Sequence, residues 1–227
     1  MMSIKHTLSA VALVALASTA HADRLNAASS DGGIVEVTIT NVSKLQFTPL
    51  LVATHSADIA FFEAGAPASA ELALLAEGGD VGPLSAVLQS VPDLVGDVES
   101  TSGLLMPGQS VTVELDASRL FDRISVAAML LPTNDAFVAV NSVPVPRILN
   151  RTSRFIANGY DAGSEPNDEL CANIPGPTCG GAGPSPEAGG EGYVSISAGI
   201  QGVGDVPAAN YDWRNPVAVV TLRRVSN

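Results

Sequence analysis

Two acidic stretches hold the residue types best suited to chemistry: Tyr160 to Leu170, read Tyr-Asp-Ala-Gly-Ser-Glu-Pro-Asn-Asp-Glu-Leu, and Pro132 to Val138, read Pro-Thr-Asn-Asp-Ala-Phe-Val. Each follows an apolar strand-like run, so both should emerge at one end of a β domain. That would put Asp135, Asp161, Glu165, Asn167, Asp168 and Glu169 within reach of one another. Such a set suits a hard cation, because Ca2+ takes six to eight oxygens from carboxylates, amide side chains and backbone carbonyls. The twelve-residue EF-hand spacing is absent. In a chain this acidic, the same loops also read as solvated turns.

Other chemistries are limited by what the chain lacks. Once a leader is removed, His55 is the sole histidine, which leaves no way to build a two- or three-histidine zinc site. A Ser-His-Asp triad would have to use it, and no Gly-x-Ser-x-Gly elbow supplies a nucleophile. A histidine packed or hydrogen-bonded at a strand end is the plainer reading. Asp135 with Asp161 or Glu165 could form a glycosidase pair, yet 23 acidic residues make such pairs inevitable. Gly189-Gly190-Glu191-Gly192 lacks the lysine of a phosphate-binding loop. Cys171 and Cys179 are the only cysteines; in an oxidising compartment they should close a small disulfide loop, whereas their spacing suits neither zinc nor a redox motif. Trp213 and Arg214 either present an exposed partner contact or close the end of the domain, with Asp212 and Arg214 paired.

The elements that must position these residues are mostly short strands. Val35, Val37 and Ile39 alternate with Glu36, Thr38 and Thr40, the period of two of a half-buried strand. Leu45 to Thr54 continues as an extended run broken by Pro49, and Val111, Val113 and Leu115 alternate after a Met106–Gln109 turn. Ile124 to Leu131 is apolar on both faces, as a central strand would be. Phe137–Val140, Phe155–Ala157, Val194–Ala198 and Pro216–Val225 complete the strands. A helix is expected over Pro67–Gly78, capped by Ser69 and ended by Gly78 in a left-handed conformation, with a second short one over Pro83–Gln89. These helices should cover one edge or end of the sheets. Gly96–Gly103 reads as a connection, and Gly176–Gly192, rich in Gly and Pro, as a mobile surface loop. Many short strands with little helix predict an all-β chain, an antiparallel β sandwich with one or two short helices and long acidic loops.

Residues 1–22 read as a signal peptide: a basic start at Lys5, an apolar run from Leu8 to Ala17 and the small-x-small Ala20-His21-Ala22. Residues 23–33 then form a loose arm and 34–227 the folded domain. No later stretch is long and apolar enough to span a bilayer, so a secreted or periplasmic product is expected. With 11 Lys plus Arg against 23 Asp plus Glu, the net charge is −12, and losing the leader with Lys5 makes the remainder more acidic still. Nucleic acid is an unsuitable partner for such a surface.

The run Val37-Thr38-Ile39-Thr40-Asn41 leading to Phe47-Thr48-Pro49-Leu50-Leu51-Val52-Ala53-Thr54-His55, the Pro132–Val138 loop and Tyr160-Asp161-Ala162-Gly163-Ser164-Glu165 occur in an order that resembles the spondin domain. The likeness covers about residues 34 to 225. It implies a C2-like antiparallel sandwich with a Ca2+ ion held by loops at one end, used in extracellular adhesion. On that resemblance Asp135 matches the family's Pro-Asp-Trp-Phe-Val-type loop with Ala136 in place of the aromatic residue. Asp161 matches its Asp-Ala-Gly-Thr-Asp loop, with Glu165 at the second aspartate. The longer Glu165 side chain makes Asp161 the more direct ligand of the two. Reeler domains and thrombospondin repeats have no room here, so adhesion to animal matrix is not inherited. The implied function is an exported, non-enzymatic module that binds an unknown protein or glycan at the cell surface, its loops ordered by Ca2+. A metal-free structural protein and a secreted carboxylate hydrolase are the rivals.

Overall fold

The computed structural model describes residues 32–185 and 189–226. The expected signal peptide and nearly all of the expected arm lie outside that range, although Gly33 already begins the first strand. Ten strands follow in order: β1 Gly33–Asn41, β2 Gln46–Phe47, β3 Leu51–His55, β4 Val95–Ser100, β5 Ser110–Ala117, β6 Arg123–Leu131, β7 Ala136–Pro144, β8 Thr152–Asp161, β9 Ser195–Ile196 and β10 Ala218–Arg224. Every pairing is antiparallel, and the main path runs β4-β3-β6-β7-β8-β10-β1-β5, with β2 beside β6 and β9 beside β8. The two layers of the sandwich are thus halves of one curled sheet. Its end strands approach each other: the Asp116 amide donates to Asp97 Oδ2 at 2.9 Å, and Thr54 Oγ1 donates to the Asp116 carbonyl at 2.7 Å.

The core follows from side-chain alternation. Val35, Val37 and Ile39 of β1 point inward with Ile124, Val126, Ala128 and Leu130 of β6 and Val220 and Leu222 of β10. The other face of β6 is apolar too, because it is covered. Ala127 of β6, Leu51 and Ala53 of β3, and Phe137 and Ala139 of β7 pack against Leu72, Leu75 and Ala76 of helix α1 (Ala70–Gly78) and against Leu84 and Leu88 of helix α2 (Gly82–Gln89). The helices therefore lie on a face of the sheet, not at its edge or end.

Local chemistry sets the helix ends. Ser69 caps α1, its hydroxyl accepting from the Leu72 amide at 3.2 Å. The left-handed residue that ends the helix is Gly79 (φ 69°), not Gly78 as expected. Gly78 stays helical and is needed for another reason, since a Cβ there would lie 2.8 Å from Pro184 of a distant loop. A third short helix, α3 (Ala208–Tyr211), and a 3-10 turn at Cys171–Asn173 have no sequence counterpart above.

Several expectations about strands, loops and Trp213 change in the structure. The Gly96–Gly103 connection contains β4, an edge strand whose side chains beyond Val95 are largely exposed and so lack an apolar alternation. Val194–Ala198 forms only the two-residue β9. The Gly- and Pro-rich stretch after Gly176 is tied down by backbone bonds from Gly180 to Gly176, Gly181 to Ile174 and Ala182 to Ala172, as far as its described residues reach. Trp213 is 7% exposed and joins the core, so it is not the exposed partner contact weighed above. Arg214 is exposed and pairs with Asp212 at 2.6 Å.

Candidate metal centre

The acidic loops meet where β6 and β8 end and β7 begins. Thr133 Oγ1 donates to the Leu130 carbonyl at 2.6 Å and accepts from the Ala136 amide at 3.1 Å, turning the chain tightly between β6 and β7. Ala136 is then in register with Asp161, which brings Asp135 beside the end of β8. Beyond Asp161, Gly163 takes φ 66°, where a Cβ would run into the Tyr193 carbonyl. That turn aims two amides back at Asp135: Ser164 and Glu165 donate to its Oδ2 at 2.8 and 3.0 Å.

Each acidic residue named from the sequence has a definite place here. Asp135 is 0% and Glu165 1% exposed. Asp135 Oδ1 and both Glu165 carboxylate oxygens are buried without a hydrogen-bond partner. Asp161 differs, because its Oδ1 accepts from the Gly163 amide and its Oδ2 from Asn167 Nδ2, both at 2.8 Å. The resemblance makes Asp161 the more direct ligand, whereas the geometry leaves more unpartnered oxygen on Glu165. Asp168 and Glu169 are framework. Asp168 accepts from Asn134 at 2.9 Å and Asn173 at 2.6 Å, and Glu169 accepts from the amides of Gln201 and Val203.

Electrostatics follows from this burial. Desolvation, aided by the Asp161 charge, pushes Asp135 up to about 7. Burial also pushes Glu165 up to about 7; the nearby Ser185 hydroxyl, outside hydrogen-bonding geometry, acts against the rise, while the charges of Glu77, Asp135 and Asp168 add to it. Asp161 is raised by burial in spite of its two donors. Burial would raise Asp168 as well, but the Leu170 amide, Asn134 and Asn173 outweigh it and hold the group low.

Sequence reasoning missed Glu77. It lies on α1, is 2% exposed, accepts the Ser185 amide at 2.8 Å through Oε2, and leaves Oε1 buried without a partner. An acidic side chain in the last turn of a helix, against the helix dipole and otherwise among Leu and Ala, was the signal available.

The remaining named residues support the scaffold. Cys171 and Cys179 form a disulfide with Cα atoms 4.7 Å apart, and the Cys171 amide is held by Asp205 at 3.0 Å. His55 is fully buried, with Nδ1 against the Ser56 carbonyl at 2.7 Å and Nε2 against Ser125 Oγ at 2.8 Å; burial lowers its pKa, so it is a structural histidine.

A test of the residues against Ca2+ rests on the unpartnered oxygens. Three buried carboxylate oxygens with no donor among the described residues, on two side chains, are a costly arrangement that a bound hard cation would relieve. Among the described residues no cluster of three or more His, Cys, Asp or Glu side chains is arranged to hold a metal by itself. Ligands beyond these carboxylates would therefore come from backbone carbonyls, amide side chains or water. Such an all-oxygen donor set suits a hard cation and not a metal that needs nitrogen or sulfur.

An antiparallel, curled all-β domain with a buried acidic loop centre at one end defines the class of protein. The chain belongs to the Spondin_N family, whose model matches residues 39–163. The matched span takes in Glu77, Asp135 and Asp161, while Glu165 and the disulfide lie beyond it. No curated protein matches the chain. The family is an extracellular module not known for enzymatic activity, and an intact disulfide fits the same setting. No described helix is long and apolar enough to cross a membrane.

Proposed function

We propose that this chain is an exported binding or adhesion module whose acidic end loops are ordered by Ca2+, and that it engages a protein or glycan at the cell surface. The observation that supports this reading best is the set of unpartnered, buried oxygens on Asp135 and Glu165. Asp135 Oδ1 and the Glu165 carboxylate would hold the ion, with Asp161 supporting them through the register of β7 and β8. The ion would supply the positive charge that the buried carboxylates lack. Asp135 Oδ2 already ties the Ser164–Glu165 turn to the start of β7, so neutralising this carboxylate would stiffen the loops that face a partner.

The hydrolase reading loses ground on burial. Carboxyls as enclosed as Asp135 and Glu165 do not flank an open cleft as a glycosidase pair must. The metal-free reading has one observation in its favour, that Asp161, Asp168 and Glu169 are satisfied by donors within the protein.

Thermal unfolding in EDTA and then in about 1 mM Ca2+, a level suited to extracellular sites, separates the two. Ca2+ should raise the melting temperature of the wild type and leave Asp135→Asn and Glu165→Gln unmoved. A wild type indifferent to Ca2+, with calorimetry showing no binding, would leave the metal-free module as the answer.

A further inference from the structure

Glu77 is a buried acid to which the Ca2+ reading gives no part. It sits in the last turn of α1, is 2% exposed, and has one donor, the Ser185 amide, on Oε2 at 2.8 Å. Its Oε1 is buried without a hydrogen-bond partner among the described residues. Nothing in its own helix accounts for a charge there. The other buried residues of α1 are Leu72, Leu75 and Ala76, no basic side chain lies in the last turn, and the C-terminal end of a helix is itself negative. A glutamate so placed is costly unless something positive answers it.

The surroundings of Glu77 lead to Glu165. A Cβ on Gly78 would lie 2.8 Å from Pro184, so α1 ends against the segment that brings the Ser185 amide to Glu77. The hydroxyl of the same Ser185 lies near Glu165, and Glu165 feels the charge of Glu77. From the start of β7, Asp135 reaches Glu165 as well, its Oδ2 accepting the Glu165 amide at 3.0 Å. Glu165, with both carboxylate oxygens open, thus neighbours two more carboxylates that each have one open oxygen, Asp135 Oδ1 and Glu77 Oε1. All three side chains are at most 2% exposed. None of the ion pairs between described residues involves any of them.

The three carboxylates do not form a closed metal cage by themselves among the described residues. Glu77 can still act on an ion as a neighbouring charge and through a bound water, which Ca2+ accepts as a ligand. Buried charges are screened far less than exposed ones, so contact is not required.

We infer that Glu77 is a further binding residue of the cation centre, supplying a third buried negative charge that a Ca2+ ion beside Asp135 and Glu165 answers. This rests on the Ca2+ reading above and extends it from the end loops to the helix layer. One ion would then join the end of α1 to the turns that follow β6 and β8.

Calorimetric titration of the purified protein with CaCl2, together with melting curves in EDTA, tests this on Glu77→Gln. Glutamine keeps an oxygen for the Ser185 amide and removes the charge, so the anchoring of that segment survives. Glu77→Gln should bind Ca2+ at least about tenfold more weakly than the wild type, yet melt at a higher temperature in EDTA because the unanswered charge is gone. A glutamate that only anchors Ser185 would give no loss of affinity in this variant. Glu77→Asp, which retains the charge, should bind Ca2+ more tightly than Glu77→Gln. Asp80→Asn removes an equal charge from an exposed position three residues on, and should change the affinity less than about twofold. The inference falls, with the Ca2+ reading intact, if the wild type binds Ca2+ and Glu77→Gln binds it equally well. It falls likewise if Asp80→Asn weakens binding as much as Glu77→Gln, if Glu77→Asp binds no better than Glu77→Gln, or if Glu77→Gln melts below the wild type in EDTA. A wild type that binds no Ca2+ overturns both.

Discussion

Calcium binding at the acidic centre should be strongly pH-dependent. In the metal-free protein Asp135 is raised from 3.8 and Glu165 from 4.5, each to about 7. Both carboxyls are less acidic in the folded state than in the unfolded chain. Their stabilising contribution is therefore fully present below about pH 4 and is lost as pH rises through about 7. At 1.36 kcal/mol per pH unit, the shift of Asp135 amounts to ~4 kcal/mol withdrawn above pH 7, and that of Glu165 to ~3 kcal/mol. Domain stabilities are ~5–15 kcal/mol, so metal-free protein should melt well below its pH 5 temperature when held at pH 8. A Ca2+ ion must displace the protons these groups retain. With two groups of pKa about 7, the apparent affinity should fall about a hundredfold between pH 8 and pH 6, and binding at pH 7 should release about one proton in all. Isothermal titration calorimetry at the two pH values, repeated in buffers of different ionisation enthalpy, measures both quantities. Asp135→Asn, neutral at every pH, should lose the Ca2+ response and be more stable than wild type in EDTA at pH 8. Equal affinity at pH 6 and pH 8 with no proton release would refute the link between the unpartnered oxygens and the metal.

Other outcomes follow from the scaffold. Replacing Cys171 and Cys179 by serine should lower stability by about 2.5 kcal/mol, the chain-entropy value for so short a ring, measured by denaturant unfolding. Gly163→Ala should cost about 2–4 kcal/mol, since it forces a Cβ into a left-handed turn against the Tyr193 carbonyl; it should also weaken Ca2+ binding, because that turn presents the Ser164 and Glu165 amides to Asp135.

The strands that carry the centre were legible wherever one face meets the core and the other meets solvent, as in β1. The double-apolar pattern of β6 was equally readable as a central strand, although nothing in it said that a helix pair provides its second cover. β4 escaped because an edge strand has one protected residue, Val95, and a glycine needed for contact: a Cβ on Gly96 would lie 2.6 Å from the Phe121 ring. Asp135 and Asp161 could be paired from their positions after two strands, since antiparallel register brings the ends of β7 and β8 together. Which oxygens lack donors depends on how the Gly163 turn folds back, and no spacing rule conveys that. Glu77 was hidden by the same limit. A helix glutamate reads as solvated unless the Ser185 segment that buries it is known to return to it.

The curled sheet closes through side chains where a backbone ladder would have run. Asp97 of β4 and Thr54 of β3 take up the amide and carbonyl of Asp116 on β5, so part of the rim that would accept an added strand is occupied from within. A domain of an extracellular family is thereby less open to strand exchange with its neighbours and to growth into fibrils.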